Sequence, residues 1–112
     1  MEHTIAAIAT SIMSSGGISV IRLSGEDAVQ IADKIFKSVK GIKLTDVASH
    51  TVHYGHIVSN EKVIDEVLVI VMRAPNTYTR EDTIEIDCHG GVFVMKRLLE
   101  TVIKYGARPA EP

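Results

Sequence analysis

Two charged residues in predicted strands, Arg22 and Glu85, are the best candidates for contacts with a ligand. Arg22 lies near the end of residues 18–23, a β-branched run, and Glu85 lies in the middle of residues 83–88, whose apolar positions alternate. A guanidinium suits a carboxylate or a ring carbonyl. A carboxylate can accept two hydrogen bonds from an aminopyrimidine edge. From spacing alone, a solvated sheet face or an arginine–carboxylate pair is favoured over a pocket that both residues line.

Three histidines, His50, His53 and His56, recur at three-residue spacing, a pattern that raises the question of a zinc site. Residues three apart on a strand face opposite sides of the sheet. Zinc needs nitrogen or sulfur ligands that converge on one point. The pattern therefore favours scattered polar positions on a half-exposed strand, and we expect no bound metal.

A second chemical candidate is the pair Cys88 and His89 at a predicted strand-to-helix turn, where a nucleophile would stand beside a base. Adjacent residues at the end of a strand point apart, which argues against a hydrogen-bonded pair. We favour a buried thiol followed by a turn that needs Gly90 and Gly91, and we expect no catalytic residue in this chain. An enzyme based on Cys88 stays as the weakest alternative and would require a depressed thiol pKa.

The sequence gives little support for binding a phosphate group. Residues 14–17, Ser-Ser-Gly-Gly, are able to cradle an anion through backbone N–H groups. They precede a strand instead of a helix N-terminus, so the helix dipole of a phosphate loop is missing and a plain connector is favoured. The motif G-x-x-x-x-G-K-[ST] occurs nowhere, so this chain cannot build a P-loop nucleotide site.

Five strands and two helices are predicted to position these residues. The strands are residues 4–9, 18–23, 51–58, 67–72 and 83–88. The first helix is predicted to begin at a capping box formed by Ser24 and Asp27, to run to about residue 37 or 40 and to end at Gly41. The second helix follows residues 89–91, and its predicted apolar stripe consists of Val92, Met95, Leu98, Leu99, Val102 and Ile103.

The order of these elements predicts an α+β domain, a mixed β-sheet with flanking helices. Residues 51–58 and 67–72 form a plausible hairpin, with Gly55 marking a possible bulge. Residues 67–72 are apolar without interruption, which predicts a central strand covered on both faces. No element is predicted after the second helix, and we interpret the chain as a fragment of a longer protein.

The bulk composition is that of one globular domain in a reducing compartment. The chain has 112 residues, 46% of them apolar, and a net charge of −2. That charge gives no electrostatic reason to bind RNA without a partner. With one cysteine, no intrachain disulfide can form. No segment approaches the roughly 20 apolar residues of a membrane span, so a cytoplasmic location without membrane contact is expected.

Seven segments of the chain carry a resemblance to a known family, namely residues 5–10, 16–25, 53–58, 63–68, 72–82, 85–91 and 106–112. In order and with matching gaps, they resemble the N-terminal region of the tRNA uridine-5-carboxymethylaminomethyl modification GTPases, the MnmE or TrmE family. The similarity covers nearly the whole chain, and no single piece of it is diagnostic. Residues 11–17 differ from the Pro-Pro-Gly-x-Gly-Gly pattern that the family usually has there.

For this chain, the resemblance implies an N-terminal domain, residues 1–112, that binds tetrahydrofolate and dimerises. Its fold would be similar to the folate-binding domain of the glycine-cleavage aminomethyltransferase, and 5-formyltetrahydrofolate is the usual stand-in ligand. Arg22 and Glu85 match the folate-contacting arginine and glutamate of the family. A third contact, a lysine, would follow Pro112. The apolar hairpin and residues 77–79 are candidate dimer surfaces, and a dimerisation module without cofactor is the alternative.

For the whole protein, the resemblance implies a helical domain and a GTPase domain that this chain lacks. The GTPase domain would bind GTP, magnesium and potassium. A one-carbon unit from the folate would enter the carboxymethylaminomethyl group at the wobble uridine of certain tRNAs. A flavin-dependent partner of the GidA or MnmG type would complete the reaction. This chain by itself is expected to have no GTPase site and no activity.

Overall fold

Alternating apolar residues build seven strands that join in one sheet, and two helices cover one face of it. The computed structural model describes residues 3–9, 18–77, 80–89 and 91–110. In chain order the elements are β1 Ile5–Ile8, β2 Ser19–Ser24, α1 Ala28–Ile35, β3 Phe36–Ser38, β4 Thr51–Ser59, β5 Lys62–Met72, β6 Thr83–Cys88, α2 Gly91–Lys104 and β7 Arg108–Pro109. The predicted α+β class with a mixed sheet is confirmed.

The strand order in the sheet is β3-β4-β5-β6-β2-β1-β7. All neighbouring strands are antiparallel except β1 and β7, which are parallel. The predicted hairpin is present as β4 and β5, and β6 has the predicted bounds. Strands β2 and β6 lie side by side even though about 60 residues separate them, which places Arg22 directly opposite Glu85.

The core lies between the sheet and its two helices. The inward positions of β2, β5 and β6 alternate with outward ones, as the period of two in a strand requires. The fully buried large side chains are Ile21, Leu23, Ile35, Leu44, Ile57, Val69, Val71, Ile84, Ile86, Met95, Leu98 and Val102. Helix α2 buries three of the six residues of its predicted stripe, Met95, Leu98 and Val102, whereas Val92 at its start is exposed and does not belong to the core.

Neither of the helices that the structure describes packs on the other face of the sheet, which is called the open face below. It presents Val20 and Arg22 on β2, Val52 and Tyr54 on β4, Leu68 and Ile70 on β5, and Glu85 and Asp87 on β6. The prediction that residues 67–72 are covered on both faces is wrong for this chain. Val69 and Val71 are buried, but Leu68 is 41% exposed because both helices pack on the opposite side.

The first helix differs from its prediction at both ends. Ser24 ends β2, and α1 begins only at Ala28, with Asp27 as an N-cap whose side chain makes no capping hydrogen bond. Instead, the backbone N–H of Asp27 donates to Oγ1 of Thr4 at 2.9 Å. The helix ends at Ile35, well before Gly41, because Phe36–Ser38 pairs as β3 with β4.

Gly55 is not at a bulge, contrary to the prediction. It pairs regularly with Ser38 and Val67, and the irregularity of the hairpin lies between Ile57 and Val58. A Cβ atom at Gly55 would lie 2.8 Å from the ring of Phe36 and would also meet the carbonyl oxygen of Lys37. Glycine is therefore required there for the close approach of β3.

A closing element that the sequence analysis did not predict follows α2. Arg108–Pro109 forms β7. The N–H groups of Arg108 and Ala110 donate to the carbonyl oxygens of Thr4 and Ala6 at 2.8 and 2.9 Å, respectively. The conformation of residues 14–17 and of Gly90, and the candidate dimer loop at residues 78–79, lie outside the described residues. The longer helix, α2, has 14 residues, so neither described helix could span a membrane.

Candidate functional site

The two site residues predicted from the sequence lie together on the open face. Arg22 and Glu85 occupy opposite positions on the adjacent strands β2 and β6. Nη2 of Arg22 donates to Oε1 of Glu85 at 2.9 Å. The side chains are 48% and 20% exposed, so the pair is neither buried in solid packing nor split between separate surfaces.

This ion pair contributes little to stability but leaves groups available for a ligand. Exposed pairs of this kind stabilise a protein by about 0–1 kcal/mol, because solvent screens the attraction. A guanidinium has five N–H donors and a carboxylate about four acceptor positions. One contact of 2.9 Å between Arg22 and Glu85 therefore leaves most of this capacity unused.

Asp87 lies two positions beyond Glu85 on β6 and faces the same side of the sheet. Its Oδ1 atom is nearly inaccessible to solvent and accepts no hydrogen bond from any residue that the structure describes. Burial raises the pKa of the Asp87 carboxyl above its ordinary value, and the charge of Glu85 and a hydrogen bond with Glu85 raise it further. The site thus contains two neighbouring carboxyl groups, of which only Glu85 is paired with a described cation.

A cavity of about 550 Å³ opens beside these carboxyl groups on the open face. Its apolar walls include Ile18 and Leu68, and Asp87 forms part of its polar lining. Neither Arg22 nor Glu85 lines this cavity, although a step of two residues along a strand, about 7 Å, separates Glu85 from Asp87. The ion pair and the cavity are therefore adjacent parts of one face.

Tyr54 gives the cavity an aromatic wall. A hydrogen bond between its hydroxyl and Glu66 raises the pKa of Tyr54, and burial and the negative charge of Glu66 add to the shift. The phenol is therefore held as a donor to Glu66. The ring of Tyr54 also packs near that of His56, with the two centroids 6.2 Å apart.

The structure contradicts the hypothesis of a nucleophile formed by Cys88 and His89. Cys88 is buried on the helix side of the sheet, and its thiol contacts the carbonyl oxygen of Ser19 at 3.4 Å. Burial raises the pKa of this thiol to about 11, with further contributions from the charges of Asp65 and Asp87. His89 is exposed and lies beside Asp65, to which its backbone N–H donates at 3.0 Å.

The three histidines are separated as the strand period requires. His53 and His56 lie three positions apart on β4 and therefore face opposite sides of the sheet. Oγ1 of Thr51 lies 2.8 Å from Nε2 of His53, and His50 precedes the strand and contacts Ser49. Among the described residues, no three His, Cys, Asp or Glu side chains come together to hold a metal ion.

The sequence pattern identifies Arg22 and Glu85 as site residues but indicates no role for Asp87 or Tyr54. For Asp87 a signal was present, since the alternation of residues 83–88 puts it on the same side as Glu85. For Tyr54 no local signal existed. Its place beside Asp87 depends on the pairing of β4 with β5 and of β5 with β6, which brings together two residues more than 30 positions apart in the sequence.

Comparison with known proteins agrees with the resemblance noted in the sequence. A family model described as "GTP-binding protein TrmE N-terminus" matches residues 4–112. The tRNA modification GTPase MnmE of Lachnoclostridium phytofermentans is 59% identical over 110 residues, which cover 97% of this chain and 24% of that protein. The proteins of the same name from Bacillus subtilis and Thermoanaerobacter pseudethanolicus are 54% and 57% identical over 111 residues, with the same coverage.

This chain spans about a quarter of the length of the curated relatives it matches. The matched region begins at Thr4 and includes both Arg22 and Glu85. Because the family model covers almost every residue and the identity to these relatives exceeds one half, the chain belongs to the family of the N-terminal region of the GTP-binding protein TrmE.

Proposed function

We propose that this chain is the folate-binding and dimerising N-terminal domain of a GTPase that modifies the wobble uridine of tRNA. The observation that carries the folate assignment is the ion pair of Arg22 and Glu85 on the helix-free face, beside a cavity of about 550 Å³. A cavity of this size lies in the usual range for small-molecule sites. The fold similarity to the folate-binding domain of the glycine-cleavage aminomethyltransferase is part of the same proposal.

The chemistry of the paired residues fits a reduced folate such as 5-formyltetrahydrofolate. The guanidinium of Arg22 matches a ring carbonyl or a carboxylate of the ligand. The carboxylate of Glu85 matches the N–H donors of an aminopyrimidine edge. When bound, the folate supplies a one-carbon unit, and the residues of this chain bind and orient it.

The remaining steps belong to parts of the protein outside this chain. The sequence contains no P-loop motif, so GTP hydrolysis with magnesium and potassium takes place in a separate domain. The names of the relatives, tRNA modification GTPases, support a substrate tRNA. A flavin-dependent partner of the GidA or MnmG type and a cytoplasmic location complete the proposal.

Calorimetric titration with 5-formyltetrahydrofolate tests the assigned site. The variants Arg22→Ala and Glu85→Ala should each bind about ten- to a hundredfold more weakly, because a charged hydrogen bond contributes about 1.5–3 kcal/mol. Their free energies of unfolding should change by less than about 1 kcal/mol, since the pair is exposed.

A charge-swapped variant separates a ligand site from a structural ion pair. Arg22→Glu combined with Glu85→Arg keeps one cation and one anion at the paired positions but exchanges their places. A structural pair tolerates this exchange, whereas a ligand that needs a cation on β2 and an anion on β6 does not. Folate affinity that is equal in the wild type, both single variants and the swapped variant would contradict the assigned pocket.

A dimerisation module without cofactor is the second candidate, and the exposed apolar side chains of the open face favour it. Val52 is 57% exposed there, and Tyr54 and Leu68 are exposed beside it. Exposed apolar side chains grouped on one face are typical of protein contact surfaces. A stable dimer that binds no folate at any concentration tested would support this candidate over the first.

A further inference from the structure

One carboxyl group on the open face, that of Asp87, belongs neither to the Arg22–Glu85 ion pair nor to the core. Its Oδ1 atom is almost completely screened from water and has no donor among the described residues. A buried acceptor without a partner is destabilising, because it has lost its hydrogen bonds to water and gained none in return. Native proteins retain few such groups, so each one needs an explanation, such as an ion, a water molecule or a functional role.

The surroundings of Asp87 explain why no group that the structure describes satisfies it. Leu68 on β5 and Val20 on β2 lie directly opposite it and offer no side-chain donor. The nearest cation on the neighbouring strand, Arg22, is bonded to Glu85. Asp87 therefore shares its strand face with one anion and is flanked by apolar side chains.

The other titratable groups at this end of the open face are engaged with carboxyl groups other than that of Asp87. Tyr54 on β4 donates to Glu66 on β5. His89, beyond the end of β6, has its Nδ1 atom 4.0 Å from Asp65. The charge of Glu85 and a hydrogen bond with it help to raise the pKa of Asp87, and two carboxyl groups bond each other only when one of them holds a proton.

We propose that Asp87 is a further ligand-binding residue, which accepts N–H donors from the same aminopyrimidine ring that Glu85 contacts, with the ring faces in the cavity between Ile18, Tyr54 and Leu68. The inference rests on the proposed folate site and extends it by about 7 Å along β6. The apolar walls and the tyrosine ring of the cavity suit the faces of a planar ring. Its one strongly shielded acceptor suits the edge of such a ring.

Binding at Asp87 is coupled to the loss of a proton. The protonated carboxyl shares its proton with Glu85, whereas only the ionised carboxylate presents both oxygens to ligand donors. Because the pKa of Asp87 is raised above 3.8 in the free chain, the protonated form is populated at pH values where an ordinary aspartate is ionised. Affinity should therefore rise with pH through the range of that raised pKa and then become constant.

The test is calorimetric titration of the chain with 5-formyltetrahydrofolate and with pterin-6-carboxylate, at several pH values from about 4 to 7. Each titration is done in two buffers of different ionisation enthalpy, so that the difference in heat counts the protons released. The wild-type chain should release protons on binding both ligands. Asp87→Asn, which keeps the shape but cannot titrate, should bind at least about tenfold more weakly and release no proton from this position.

Two controls keep the result specific. Asp46→Asn removes an equal charge at an exposed position in the 3-10 turn Leu44–Asp46, between β3 and β4, and should bind like the wild type. Carbon-13 NMR of the Asp87 carboxyl in the unmutated chain should show titration above 3.8 without ligand and a lower pKa with ligand. This second measurement does not depend on the folding of any variant.

The outcomes separate this inference from the proposed function. If folate binding depends on Arg22 and Glu85 but Asp87→Asn binds within twofold of the wild type with the same proton release, the role of Asp87 is wrong and the folate site stands. If no folate or pterin binds the wild-type chain at any pH, both proposals are wrong. Weaker binding by Asp87→Asn together with loss of proton release supports both.

Discussion

At the scale of single residues, the two carboxyl groups of β6 differ because only one of them has a cationic partner. Glu85 contacts Arg22 across the strands at 2.9 Å, whereas Asp87 on the same face has no described donor for Oδ1. The difference follows from the register, which places an arginine opposite one carboxyl and Val20 opposite the other.

Cys88, between this face and α2, is predicted to be chemically inert in the folded protein. With a pKa of about 11, roughly one thiol in a thousand is ionised at pH 8, and the side chain is buried. A disulfide exchange reagent should label the native chain at least about a hundredfold more slowly than the chain unfolded in urea. Free cysteine under both conditions controls for the reagent, and comparable rates in the two states would refute this prediction.

How far the sequence predicts the candidate site depends on whether a residue can be assigned from its own strand. Arg22 and Glu85 stand out because each interrupts an apolar pattern. That they face each other could not be predicted, because local periodicity contains no information on which strands pair. The same limit hid the cavity, whose lining comes from β4, β5, β6 and the residues that flank β2 and β6.

At the scale of elements, segments with strong local periodicity were predicted and segments defined by non-local pairing were not. Residues 83–88 alternate so regularly that β6 has the predicted bounds, and the hairpin of β4 and β5 was also expected. The end of α1 was predicted too late, because Phe36 continues an apolar helical pattern while its backbone pairs with β4. Strand β7 has two residues and forms only against β1, so it has no local signal.

The close contact of β3 with β4 predicts that Gly55 cannot be replaced without loss of stability. Gly55→Ala should lower the free energy of unfolding by about 1–3 kcal/mol, because its Cβ atom would overlap the ring of Phe36 and the carbonyl group of Lys37. Urea unfolding followed by circular dichroism measures this difference.

The same substitution in a Phe36→Leu background tests the cause. Removing the ring should relieve part of the overlap, so that Gly55→Ala costs less there than in the wild-type chain. An equal cost in both backgrounds would assign the effect to the backbone of β3 alone, and no cost in either would contradict the close approach that the structure shows.

At the scale of the whole molecule, the two faces of the sheet differ in what covers them. One face carries both helices and the continuous core, whereas the other leaves apolar side chains of β4 and β5 in contact with solvent. A second copy of the chain that covers the open face would remove this apolar surface from water. The proposed dimer is therefore expected to use β4 and β5.

Substitution on each face tests this assignment. Val52→Lys places a charge on the open face and outside the cavity beside Asp87, so it should weaken dimerisation at least about tenfold in sedimentation experiments. Phe93→Lys is the matched control, because Phe93 is 85% exposed at the start of α2, on the helix-bearing side. Equal association constants for Val52→Lys and the wild type would exclude this part of the open face as the dimer surface.

The alternation within β6 has a consequence for random mutagenesis of this domain. Ile84, Ile86 and Cys88 point towards the helices, while Glu85 and Asp87 point away from them. In a library that covers residues 84–88, variants deficient in soluble expression and variants deficient only in ligand retention should therefore alternate from one codon to the next. Five consecutive positions would thus divide into two classes of phenotype, each with a period of two.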